Sequence, residues 1–275
     1  MRCAAHRPEE PEDRVGLMLT GIDHIVIVVR DLDAAIVSYR GLGFTVVPGG
    51  RHPVGTHNAL IALADGAYIE LIAFLQPDTP QDHRWWRPLQ QGGGLVDFCM
   101  GTDDLAADVV ALRKAGVEID DPRPLTRTRP DGYVLRWVLA IPREGHRGLA
   151  PFLITDETPR GERVPSAATH ANQVTGLGPV TVAVPDLSEV RRWYARLLDQ
   201  PGSERRRDDL AAGVVEFRVG SHVLEFVAPQ RRDSPLTAFL QQRGPGPYAA
   251  ALTTSLAAKR WLDERATHGA RLWLG

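Results

Sequence analysis

The chain has 275 residues, a formal net charge of −2 and 43% hydrophobic residues, which is enough for two packed cores rather than one. The near-neutral balance gives no electrostatic reason to expect a nucleic acid or an anionic membrane as partner, and no apolar run approaches the ~20 residues of a membrane span. Two cysteines, Cys3 and Cys99, make no disulfide framework, so a reducing cytoplasm is the expected compartment.

Residues 1–18 carry Pro8, Glu9, Glu10, Pro11, Glu12 and Asp13 and lack a signal-peptide core, so a disordered tail is expected there. Gly21 to Val29 is an apolar, β-branched run that reads as a strand buried on both faces. Asp31 then stands where a helix N-cap offers its carboxylate to free N–H groups, and Leu32 to Gly41 reads as the helix. Two further strands are expected around an Asp65-Gly66 turn, the second being Tyr68-Ile69-Glu70-Leu71-Ile72. The unit is β-α-β-β-β.

A weaker version follows. Leu95 to Gly101 leads into Asp104, an amphipathic stretch from Ala106 to Ala115, and Gly116 as its stop. Asp156 to Asn172 is polar and contains Pro and Gly, so residues 156–173 read as an interdomain linker. Gly176 to Leu187 then restates Gly21 to Leu32 at an offset of 155 residues, and Val223-Leu224-Glu225-Phe226-Val227 restates Tyr68 to Ile72 at the same offset. Its turn is Gly220-Ser221. A last copy starts at Tyr248 to Thr254, continues as an expected helix from Ser255 to about Thr267, and stops after Arg271-Leu272-Trp273-Leu274. The expected fold is α+β, with three complete modules and a truncated fourth, in domains spanning 19–155 and 174–275.

Modules with His on the first strand and Glu on the last, together with Gly50 to Leu60 followed by Asp65 to Ile72, resemble the vicinal oxygen chelate superfamily and within it the glyoxalase-like domain group. The resemblance implies that paired modules curl into open curved sheets, or cups, and that a divalent metal ion sits on side chains from first and last strands. Carried over position by position, it marks His24, Glu70 and Asp97 as metal ligands. Phe152, Pro179, Glu225 and Tyr248 fill the remaining slots. The N-terminal cup is therefore the expected functional one, and the C-terminal cup its inert partner.

The residues themselves add to this. Glu is almost never fully buried unless paired, so Glu70 in an apolar strand points to a site with His24 or to a buried His–Glu bond. Thr56-His57-Asn58 is polar where the second copy has Ala211-Ala212-Gly213. Strand alternation sends His57 and Asn58 to opposite faces, and Asn58 is the one expected to face a substrate. His52 and Glu70 are candidates for proton transfer. Arg136 and Trp137, with Trp85 and Trp86, suit the wall of a small-molecule pocket. Two functions remain open: a metal-dependent lyase, isomerase or dioxygenase, and a metal-free protein that binds or sequesters a small molecule. Homodimerisation is left open.

Overall fold

The computed structural model of the chain describes residues 17–257 and 259–275. The first half runs β1 (Leu19–Val28), α1 (Leu32–Gly41), β2 (Val47–His52), β3 (Thr56–Ala62), β4 (Tyr68–Phe74), α2 (Trp86–Gln90), β5 (Gly94–Thr102), α3 (Leu105–Lys114), β6 (Arg123–Thr128), β7 (Val134–Ala140), β8 (Phe152–Asp156) and α4 (Arg160–Arg163). The second half runs β9 (Val174–Ala183), α5 (Leu187–Leu198), β10 (Ser203–Arg207), β11 (Ala212–Val219), β12 (His222–Pro229), α6 (Pro235–Arg243), β13 (Gly246–Thr254), β14 (Arg260–Trp261) and β15 (Leu272–Leu274). Most of the sequence-expected tail, residues 1–16 with Cys3, lies outside the described residues.

The eight strands of the first half close into a barrel in the order β1-β4-β3-β2-β6-β7-β8-β5. The second half forms a seven-stranded sheet in the order β10-β11-β12-β9-β13-β15-β14. The repeated sequence therefore builds the same arrangement twice: β1 pairs β4 in parallel with Val26 opposite Glu70, and β9 pairs β12 in parallel with Thr181 opposite Glu225. Among the described residues the second sheet has no counterpart of β6, and its strand order is open.

Alternation along β1 explains the two cores. Ile25 and Ile27 face outward under α1 with Tyr39, in an apolar layer that continues into Val180, Val182 and Phe226 of the second half. Val26 and Val28 face into the barrel with Trp137, Leu139, Phe152 and Ile154. The expected N-caps are in place: the Asp31 carboxylate accepts from the Ala34 N–H and that of Asp186 from the Ser188 N–H.

Several elements differ from the sequence reading. Asp65-Gly66 is not a two-residue hairpin, because β3 stops at Ala62 and the Leu63 N–H donates to the Ala67 carbonyl. The turn serves the second half: the Asp65 carboxylate accepts from the Leu177 N–H at 2.6 Å and the Ala64 N–H donates to Thr175. No helix runs from Ser255 to Thr267 among the described residues (Ala258 lies outside them). Bends, β14 and turns take its place, with the Leu262 N–H donating to the Leu272 carbonyl. The helices α2, α4 and α6 were not read from the sequence. The stretch 156–173, read as the interdomain linker, carries α4, and Arg163 and His170 within it are both 2% exposed. No helix among the described residues is long and apolar enough to cross a membrane.

Candidate functional site inside the N-terminal barrel

The barrel encloses a cavity of about 70 Å³ walled by His24, His52, Tyr68, Glu70, Arg127 and Trp137, among others. Each comes from the inward face of its strand. His24 is 3% exposed, stacked on Tyr68 at 4.5 Å and edge-on to Phe152 at 5.3 Å. Its neighbour Asp23 should face the other way, yet both are buried and joined, Asp23 Oδ1 to His24 Nδ1 at 2.7 Å. The cause is a bulge in β1: Ile22 pairs Met100 and His24 pairs Cys99, so Asp23 is the extra residue.

From Asp23 a buried polar chain runs through the site. Arg163 donates from Nη2 to Asp23 Oδ2 at 2.9 Å and to Asp156 Oδ2 at 3.0 Å. Across the cavity His24 Nε2 stands 3.5 Å from Glu70 Oε2, and Asn58 Nδ2 donates to Glu70 Oε1 at 2.6 Å. Burial pushes the His24 imidazole down to about 4, so it is neutral at pH 7. Burial pushes His52 down to about 4 as well. Burial raises the Glu70 carboxyl, and the His24 and His52 imidazoles in their protonated forms, the Asn58 amide and the Arg127 cation outweigh that and hold it below the usual carboxylate value. Glu70 is thus ionised at neutral pH.

A neutral His24 that donates Nδ1–H to Asp23 presents a bare Nε2 lone pair to the Glu70 carboxylate. Two acceptors face each other. A donor placed beside them would satisfy both.

Of the expected site residues, the structure brings together His24, Glu70, Asn58, His52 and Trp137. Asn58 holds Glu70 from behind rather than facing a ligand, and Gly49 makes room for it: a Cβ there would stand 2.1 Å from Asn58 Oδ1. Gly49→Ala should therefore lower stability by about 1–3 kcal/mol and loosen Glu70. Urea unfolding checks this, and an unchanged midpoint would show that the amide finds another position. His52 bonds to Thr56 Oγ1 at 2.9 Å and meets Trp137 edge-on.

Three expected site residues are not where a site role needs them. His57 lies on the outer face of β3, among Asp31, Asp33 and Arg51. Arg136 is exposed outside the barrel, because β7 turns Trp137 inward and its neighbour outward. Asp97 is buried but spent: Oδ2 accepts from Arg84 Nε and Trp85 Nε1, both at 3.0 Å, and Oδ1 from the Phe98 N–H.

This decides how the site fits a divalent ion. His24, Glu70 and Asp97 do not assemble a ligand set, since Asp97 is taken and β8 places Phe152 in the slot corresponding to Glu70 (Cys99 pairs Phe152 as Val26 pairs Glu70). The Arg84 guanidinium lies over Phe152 at 4.7 Å, a fixed cation on that side of the cavity. A separate group exists, with ligand atoms of Asp23, His24 and Cys99 within 4.8 Å of one another. There too the Asp23 oxygens are bonded to Arg163 and Arg160, and burial pushes the Cys99 thiol well up. In the arrangement described, the residues do not fit the ion.

The sequence reading missed Asp23, Arg163, Arg127, Arg84 and Tyr68. Asp23 left a signal, an acid inside an apolar run. Arg127 left another, two residues from Leu125 on one strand face. Arg163 left none.

In the second half, Glu225 is 1% exposed and accepts from Thr181 Oγ1 at 2.8 Å and from Arg205 and Arg207. Its carboxylate is satisfied by the protein itself.

The chain matches the family described as the glyoxalase-like domain over residues 22–198, well over half its length. Among solved structures it is similar to a hypothetical protein from Staphylococcus aureus, with TM-score 0.69 and 17% identity over 93% of this chain and 98% of that one. It is also similar to a mutant 4-hydroxymandelate synthase from Streptomyces coelicolor, with TM-score 0.60 and 19% identity over 86% and 72% of the two chains. A xylose isomerase-like TIM barrel/4-hydroxyphenylpyruvate dioxygenase fusion protein gives TM-score 0.52 and 16% identity over 91% of this chain and 40% of that one. No curated protein matches. At these identities the likeness is one of fold. With the repeated β-α-β-β-β modules and their shared register, the chain belongs to the glyoxalase-like domain family of the vicinal oxygen chelate superfamily.

Proposed function

We propose that the N-terminal barrel binds a small oxygenated organic molecule and accepts a proton from it, with Glu70 as the acceptor. The observation that carries this is the buried Glu70–His24 pair: carboxylate oxygen and imidazole nitrogen stand 3.5 Å apart on the wall of the barrel cavity. The donor they call for is an O–H or an acidic C–H beside a carbonyl. Asn58 orients the carboxylate, Asp23 selects the His24 tautomer, and Ile72, Leu139 and Phe152 give the cavity apolar walls.

The cavity of about 70 Å³ is small, and the reacting end of the molecule is the part that reaches Glu70 and His24. The test is deuterium incorporation from D₂O into small 2-oxo acids and, separately, into neutral ketones and 2-oxo amides, followed by proton NMR. Wild type is expected to catalyse exchange, and Glu70→Gln to lose it by roughly 10²–10⁴-fold. Equal exchange by both proteins would remove Glu70 from the role. Binding without exchange would instead favour a sequestering protein.

The close approach of ligand atoms from Asp23, His24 and Cys99 supports a second reading, a divalent-ion enzyme. It requires Arg163 and Arg160 to release Asp23. Elemental analysis of protein purified without tag or chelator separates the readings: about one ion per chain, lost in His24→Ala, would put the metal reading first.

A further inference from the structure

Arg127 is the one guanidinium of the barrel interior, among the described residues, that has no carboxylate within 4.0 Å. Arg163 is paired with Asp23 and Asp156, and Arg84 with Asp97. Arg127 is 3% exposed and lines the cavity. Its Nη2 donates to the Arg163 carbonyl at 2.6 Å, while its buried Nε–H has no partner. A buried cation without a counter-ion is costly, and a buried donor left unsatisfied adds roughly 1–3 kcal/mol. Evolution had the means to avoid this cost, because the neighbouring arginines each received an acid.

We propose that Arg127 is the carboxylate subsite of the chamber, and that the molecule bound beside Glu70 is a small carboxylic acid. This rests on the proton-acceptor reading of Glu70 and narrows it to a substrate class. A guanidinium presents a planar fork of N–H groups that matches a carboxylate in shape and charge. Arg127 stands near enough to Glu70 to lower its carboxyl, makes no bond to it, and lines the same cavity. An acid anchored at Arg127 would then turn its adjacent carbon or hydroxyl toward Glu70 and His24. Charge that develops on the ligand as the proton leaves would fall beside a fixed cation.

Pyruvate and its neutral amide, pyruvamide, are the probes, with thermal unfolding and calorimetric titration at constant ionic strength as readouts. Pyruvate should raise the melting temperature of the wild type and pyruvamide should not. Arg127→Gln should weaken pyruvate binding by roughly ten- to a hundredfold, the loss of a charge-assisted pair. Arg127→Lys, which keeps the charge without the fork, should fall between them and guards against a folding defect in the glutamine variant. No response of the wild type to pyruvate, equal responses to pyruvate and pyruvamide, or undiminished binding by Arg127→Gln would each overturn the carboxylate subsite. Those outcomes leave the proton-acceptor reading standing or falling separately on the Glu70→Gln exchange measurement.

Discussion

Arg163→Ala is expected to lower the unfolding free energy by about 3–5 kcal/mol, the cost of leaving buried acids without their cation. Arg163 is 2% exposed and is shared by Asp23 and Asp156, while Asp23 in turn orders His24. Its removal takes one cation from both carboxylates at once and leaves Asp23 with Arg160. Arg160 bonds to the same Asp23 from the barrel rim but is much more exposed, so Arg160→Ala should cost under about 1 kcal/mol. Urea unfolding of the two variants at pH 7 measures the difference. A loss for Arg163→Ala no larger than that for Arg160→Ala would mean that Asp23 and Asp156 find other partners, and that the Arg163 bridge is not what holds the site.

The second large effect is loss of stability in mild acid. The His24 imidazole lies at about 4 in the folded chain because burial disfavours its charged form, against an ordinary 6.5 when unfolded. Between those values the unfolded chain holds a proton that the folded chain refuses. Unfolding therefore takes up a proton, and stability falls as pH drops through 6.5 toward 4. For His24 the full contribution is about 3 kcal/mol. His52 acts in the same direction and window. Glu70, held below its ordinary value, loses its own contribution at lower pH, so the histidines dominate above pH 5. Unfolding free energies at pH 7, 6 and 5 should decline for wild type and decline less for His24→Gln. A flat profile for the wild type would show that His24 accepts a proton in the folded state.

Much of the fold is legible in the amino-acid order because repetition and periodicity are local. The 155-residue offset, the Asp31 and Asp186 caps and the doubly buried strand at Ile22 to Val28 all appear in the structure. The repeat put His24 and Glu70 at matching places on the first and last strands of a module, and alternation separated His57 from Asn58. The same alternation, applied to Arg136 and Trp137, would have put Arg136 outside.

What the sequence could not determine is what each buried charge meets. Asp97 and Glu70 look equivalent as acids in apolar strands, yet one is consumed by Arg84 and Trp85 and the other faces the cavity. That difference comes from how the segment before β5 packs back on Asp97, while β6 delivers Arg127 to the cavity. Asp23 faces inward only because β1 bulges against β5, and Arg163 reaches it across 140 residues from a stretch that reads as a linker. Local pattern sets strand faces through side-chain direction; only tertiary packing, through pairing register and desolvation, decides which polar groups remain free to act.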